Sequence, residues 1–173
     1  MDANQRRAAI AEHIAKAGQP VSATTLAGVF SVSRQIIVGD IALLRAGGMQ
    51  ISATPRGYVL PRELAGQEYK VACVHAPEDM ARELEIMVDN GCTVVDVVVE
   101  HPVYGQLTGP LHLSSRYDVQ QFVEKVKVGN ARPLADLTWG IHLHTVRCPD
   151  REAYDRVCRQ LAQAGLLYQT ANS

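Results

Sequence analysis

The segment Gly140-Ile141-His142-Leu143-His144-Thr145-Val146 constrains this chain more than any other stretch. Its period-two alternation predicts a β-strand, with Ile141, Leu143 and Thr145 on one face and His142 and His144 on the other. Two imidazoles at i and i+2 stand close enough to share one metal ion. A third and fourth ligand must then come from elsewhere in the chain.

Bulk properties narrow the setting. The 173 residues suffice for one large or two small domains. Charge is almost balanced but unevenly spread: residues 1–66 carry seven Lys/Arg against four Asp/Glu, and residues 67–173 carry ten against fourteen. A basic first third suits a polyanionic partner. Cys73, Cys92, Cys148 and Cys158 form no Cys-x-x-Cys pair, and no signal peptide is apparent. The apolar run Val94–Val99 is interrupted by Asp96 and is far short of membrane length. These features predict a cytoplasmic protein with reduced, mostly buried thiols and no membrane partner.

Residues 1–66 have a helical period. A first helix is expected over Ala3–Lys16, with Ile10 and Ile14 inward and a stop at Gly18 and Pro20. Ser22 caps a short second helix bearing Leu26 and Phe30, and Ser31-Val32 forms a tight turn. A third helix runs from Ser33 to Ala46, its inward stripe Ile37, Ile41 and Leu44, and stops at Gly47-Gly48. Two short strands, Ile51–Thr54 and Tyr58–Leu60, flank Pro55-Arg56-Gly57. Three helices and a basic hairpin make a winged helix-turn-helix whose third helix enters the major groove of double-stranded operator DNA. A small helical domain for protein contacts is the plain alternative. Val32-Ser33-Arg34-Gln35, followed by Asp40-Ile41 and Leu44, resembles the recognition segment of biotin-repressor-type winged helices. The expected DNA-facing set is Ser33, Arg34, Gln35, Ile36, Gly39 and Arg56. Gln35 reads a base, Arg34 grips phosphate, Ser33 caps the helix, Gly39 permits close approach, and Arg56 contacts a minor groove or phosphate. Residues 61–67 read as a linker.

From Tyr69 the period changes. Strand Tyr69–Val74 leads to His75, and Pro77 opens a helix that ends at Asn90-Gly91. On that helix Met80, Leu84, Met87 and Val88 form the apolar arc, with Glu83 at its margin. A carboxylate there needs a partner, either a basic side chain or a metal. Strands Thr93–Glu100 and Gln106–Leu113 follow, then a helix capped by Ser115 with Asp118 at the capping-box position. An irregular stretch around Pro133, the histidine strand, a helix from Asp150 to Ala164 and a short Leu166–Gln169 tail complete the chain. The order β-α-β-β-α-β-α predicts a mainly antiparallel sheet with helices on one face, so the whole is α+β, a winged helix over 1–66 and an α/β open-faced sandwich over 67–173. His112, alternating with Leu111 and Leu113, is expected on a solvated strand face. His13 carries no predicted function.

Five motifs fall in order: His75 after the first strand; Glu83 eight residues later; Glu100-His101-Pro102-Val103-Tyr104-Gly105; Ser115-Arg116-Tyr117-Asp118-Val119; and Leu137-Thr138-Trp139-Gly140-Ile141-His142-Leu143-His144-Thr145. Together they resemble the three-histidine domain of the niacin-responsive repressors of NAD metabolism, a family with a winged helix in front. The resemblance spans essentially the whole chain. It implies a sandwich similar to the histidine phosphocarrier fold and a metal site on His75, Glu83, His142 and His144. It also implies nicotinic acid as co-repressor at operators of NAD-biosynthesis or niacin-uptake genes.

Three imidazoles and a carboxylate suit one divalent transition metal per chain, zinc, nickel, iron or cobalt, and without soft thiolates the set does not choose among them; nickel or zinc is the expectation. Four protein ligands close a tetrahedral zinc, whereas five- or six-coordination leaves room for an effector. A metal-sensing repressor and a metal-dependent hydrolase fused to a DNA-binding module are alternatives, but no His-Glu-x-x-His motif supports an enzyme. A carboxylate effector is expected near Arg116 and the helix start at Ser115, with Tyr104 and Trp139 stacking on its ring and His101 lining the pocket. One recognition helix per chain predicts a homodimer on paired half-sites.

Overall fold

A computed structural model describes residues 2–61 and 65–169, which divide into two compact units, 1–63 and 64–173. In the first unit, α1 (Ala3–Ala17), α2 (Ala23–Phe30) and α3 (Arg34–Ala46) each begin on a side-chain cap: Asp2, Ser22 and Ser33. The helices meet over Ile10, Ile14, Leu26, Ile37 and Ile41, all buried, with Leu44 packed at the edge of that core. Asp40, buried on α3, accepts from Arg6 Nε of α1 at 2.6 Å. This pair fixes the rotation of α3 against α1, and with it the face that α3 leaves open.

Strands β1 (Ser52–Thr54) and β2 (Gly57–Val59) form the hairpin, the first one residue shorter than the sequence suggests and the second shifted one residue toward the turn. Val21 extends it by exchanging both backbone hydrogen bonds with Tyr58, each 2.9 Å. That approach requires Gly57, at φ 138, because a Cβ there would lie 2.4 Å from Val21 backbone atoms. Of the expected linker, residues 62–64 lie outside the described residues, and Gln67 already belongs to the next strand.

The second unit contains β3 (Gln67–Val74), α4 (Met80–Asp89), β4 (Thr93–His101), β5 (Gly105–Leu113), α5 (Arg116–Val128), β6 (Ile141–Cys148) and α6 (Arg151–Gln163). Short 3-10 turns over Pro77–Asp79 and Leu134–Thr138 precede α4 and β6. The four strands are antiparallel in the order β3-β6-β4-β5, so the histidine strand is central. One sheet face meets the helices around Val71, Cys73, Leu84, Met87, Val94, Leu111 and Val146. His142 and His144 share that covered face with Val146 and Cys148, whereas Ile141 of the apolar set is exposed. The imidazoles therefore point into the domain, opposite to the usual placing of polar residues on a half-buried strand. A bulge between Val94 and Asp96 shifts β4 by one residue against β6. It brings Val97 opposite His144 on the covered face.

Candidate functional site

Three backbone features aim the histidines. His75 follows β3, and its Nδ1 donates to the Ala76 carbonyl at 2.7 Å. His142 Nδ1 donates to the Gly140 carbonyl at 2.8 Å, across a turn in which Trp139 and Gly140 both have positive φ, 52 and 88. Gly140 is obligatory there, since a Cβ would lie 2.5 Å from the His75 carbonyl oxygen. His144 Nδ1 donates to the Asp96 carbonyl at 2.7 Å, while the Asp96 carboxylate accepts from the Thr145 amide at 3.0 Å. The β4 bulge is what releases that carbonyl to the histidine.

With each Nδ1 so engaged, each Nε2 faces Glu83: His75 at 2.8 Å, His142 at 2.9 Å and His144 at 3.3 Å. Glu83 projects from α4 and is 1 % exposed, fully inside the domain rather than at the margin of the helix's apolar arc. Burial alone would raise its pKa, but the three imidazoles outweigh it and hold the carboxyl well below the usual range. Reciprocally, burial lowers His75 and His144, and Glu83 more than offsets it, so both are raised. Imidazoles whose Nδ1 hydrogens are taken by carbonyls, and whose Nε2 atoms converge on one carboxylate, are set to hold a cation between them. Metal-binding histidines usually donate their other ring nitrogen to an oxygen acceptor in this way, which fixes the tautomer and aims the ring. The donor set fits a divalent transition metal.

Cys73 joins this cluster, and sequence reading placed it only among buried thiols. Its sulfur, a Glu83 oxygen and a His142 nitrogen lie within 4.8 Å of one another. His75 and His144 attach to this triad through Glu83. Burial pushes the Cys73 thiol up, and the adjacent Glu83 pushes it further, so it stands as a neutral thiol. A signal for it exists in the period-two register, two residues before His75 and opposite His142 in the β3–β6 ladder.

The cluster forms one end of a cavity of about 280 Å³ between the sheet, α4, α5 and residues 131–136. Its walls are apolar, with Val97, Leu111, Phe122, Val126 and Leu134 among them. Gly109 on β5 admits Leu134, whose Cδ1 stands 3.1 Å from where a Cβ would be.

The four residues nominated for the effector do not line this cavity. Arg116 grips Asp89 of α4 in a bidentate pair, at 2.7 and 2.6 Å, and reaches Glu85 at 3.4 Å. The start of α5 is closed by its own side chains: Ser115 Oγ accepts from the Asp118 amide, and Asp118 accepts from the Ser114 amide and hydroxyl. Tyr104 and Trp139 are exposed, Trp139 at 92 %. His101 Nδ1 accepts from the Val103 and Tyr104 amides at the β4–β5 turn. His112 is half-buried, with φ 52, rather than on a regular solvated strand face.

In the first unit, Arg34, Gln35, Ile36 and Gly39 are exposed on α3, and Ser33 caps it by accepting from the Ile36 amide at 3.2 Å. Ile36 at the helix start is an apolar side chain left in solvent. Arg56 is half-buried, and its amide donates to Thr54 Oγ1 across the hairpin turn. Among the described residues no single helix is long and apolar enough to cross a membrane.

Comparison with known proteins agrees with both units. The model of the HTH domain matches residues 6–59, and the model of the 3H domain matches residues 68–170. The chain is 44 % identical over 165 residues to "Probable transcription repressor NiaR" of Thermotoga maritima, covering 95 % of this chain and 94 % of that one. It is 43 % identical over 152 residues to "Transcription repressor NadR" of Bacillus subtilis, covering 86 % and 84 %.

Proposed function

Because this chain belongs to the NiaR/NadR family of transcription repressors, with an HTH domain followed by a 3H domain, we propose that it represses transcription in response to nicotinic acid. In this reading a divalent transition metal, nickel or zinc, is held by His75, Glu83, His142 and His144, and nicotinate enters the cavity that ends on them. The observation that carries the reading is that cavity, apolar along most of its walls, with the converging imidazoles and Glu83 among its lining and Arg132 and Asp136 on the 131–136 segment. Its volume of about 280 Å³ lies just below the range usual for drug-sized ligands, which suits a single-ring molecule. When bound, the metal supplies a Lewis-acidic positive charge at the inner end. The chain's own contribution is to hold three Nε2 atoms in position, exclude water with Leu134 and Phe122, and enclose the ring.

DNA binding rests on α3, whose exposed Arg34, Gln35, Ile36 and Gly39 face the major groove of operator DNA, with Arg56 of the wing against the backbone or minor groove. Two copies related by a two-fold axis read paired half-sites, so the working unit is a homodimer acting in the cytoplasm on genes of NAD biosynthesis or niacin uptake. Effector binding shifts the dimer toward its DNA-binding arrangement, a coupling that must be reciprocal: operator DNA tightens nicotinate binding by the same factor. Operator binding by the full chain, measured with nicotinate, nicotinamide and chelator, tests the proposal. Nicotinate should tighten binding, nicotinamide should do so less, and chelation should abolish the difference. Tightening by metal alone, with no response to nicotinate, would make the chain a metal sensor instead.

A further inference from the structure

Besides the buried cluster, the cavity's lining carries at its solvent-exposed edge, its mouth, a cation that no sequence argument nominates. Arg132 lies on the segment between α5 and β6 that lines the cavity, beside Ala131, Pro133 and Leu134. Its side chain is 92 % exposed, and its Nε is 3.9 Å from the Asp136 carboxylate, too long for a hydrogen bond. Arg116, by contrast, is committed to Asp89 and Glu85. Among the described residues that line the cavity, Arg132 is the one arginine, and there is no lysine.

We propose that Arg132 is the residue that recognises the carboxylate of a small planar aromatic acid whose ring occupies the apolar barrel below it. This rests on the reading that a carboxylate effector enters this cavity. The chemistry of the two ends orders the ligand. The inner end presents buried imidazole nitrogens and already contains a carboxylate, Glu83. Glu83 already offsets part of the charge that a metal would bring there, whereas the Arg132 guanidinium, 3.9 Å from Asp136, is open to a carboxylate arriving from solvent. At the mouth a guanidinium offers the planar fork that matches a carboxylate with two parallel hydrogen bonds. The ring then lies between Leu134, Phe122 and Val97, with its far edge toward the histidines. Asp136 competes for Arg132 at the mouth, so ligand binding exchanges one carboxylate partner for another. Pro133, at φ −57, and Leu134, seated against Gly109, tie the arginine to the wall that the ring contacts.

Calorimetric titration of the metal-loaded full chain with nicotinate and nicotinamide separates the possibilities. Arg132→Gln should weaken nicotinate about tenfold or more, the loss of one charge-assisted pair, and leave nicotinamide unchanged, so that the preference for the acid disappears. Arg132→Lys should recover part of the loss, and Asp136→Asn should tighten nicotinate by freeing the guanidinium. Metal content, measured in parallel, should be the same in all variants. Undiminished nicotinate affinity and acid preference in Arg132→Gln would overturn this assignment and leave the effector reading standing. Failure of the parent protein to bind nicotinate at all would overturn the effector reading itself, and this assignment with it.

Discussion

Replacing Gly140 by alanine tests whether the turn before β6 sets the histidine geometry. Gly140 has φ 88, and its added Cβ would lie 2.5 Å from the His75 carbonyl oxygen and 3.4 Å from the carbonyl carbon. A left-handed backbone costs a non-glycine residue about 1–2 kcal/mol before any contact is counted. The clash adds to this, because its partner is backbone and no rotamer change relieves it. Either the turn or the end of β3 must move, and a total of about 2–4 kcal/mol is in keeping with strained-backbone substitutions. For a unit of roughly 100 residues this lowers the melting temperature by on the order of 10 °C or more. The chain has two units, so the transition of the second must be followed separately rather than as one global unfolding. Metal affinity should fall as well, by roughly 10–100-fold, since the Gly140 carbonyl is the acceptor that holds His142 Nδ1 and aims Nε2. Scanning calorimetry and a zinc or nickel titration of the same sample read the two effects independently. A variant that melts lower yet binds metal with parental affinity would refute the role given to that carbonyl. A variant unchanged in both would refute the turn itself.

Other expectations follow from the same contacts. His142→Ala or His144→Ala should abolish or severely weaken metal binding to the full chain, and Glu83→Gln should weaken it less, because an amide oxygen remains a poor ligand; full occupancy in the double histidine variant, by elemental analysis, would contradict the site. Gln35→Ala should relax sequence preference by roughly 1–3 kcal/mol at one base pair, whereas Arg34→Ala should weaken all sequences alike and flatten the salt dependence; identical behaviour in binding assays would remove the distinction. Without metal, the raised His75 and His144 stabilise the fold fully below their unfolded value of 6.5 and progressively less as pH rises through their folded values. Glu83, being lowered, stabilises above its unfolded value of 4.5 and loses that contribution as pH falls through its folded one. Thermal melts of the chelated protein should therefore be highest between about 4.5 and 6.5 and decline toward pH 8, while the increment from added metal grows with pH as protons cease to compete; a chelated protein more stable at pH 8 than at pH 6 would contradict this.

How far the sequence could be read depends on the range over which each feature is encoded. The caps of α1, α2 and α3 and the stripes of Ile10, Ile14, Ile37 and Ile41 involve residues a few positions apart, and they stand where local pattern places them. His142 and His144 share a strand face for the same reason. The side of the sheet they face is another matter, because it depends on which face α4, α5 and α6 cover. Alternation alone would have put Ile141 and Leu143 inside. Likewise the helical wheel leaves Glu83 at a margin, and only the rotation of α4 over a sheet carrying three inward imidazoles makes its burial sustainable. The β4 bulge, which supplies the Asp96 carbonyl to His144, has no local signature in a run of valines. Arg116 reads as a free cation until Asp89, 27 residues earlier, is seen to hold it, while Arg132 sits in a stretch without periodicity that offered nothing to read. Donor identity is thus written locally, and donor orientation is set by pairings that are distant in sequence. A ligand pocket built from both can be recognised by its chemistry before its walls are known, and its charged mouth only afterwards.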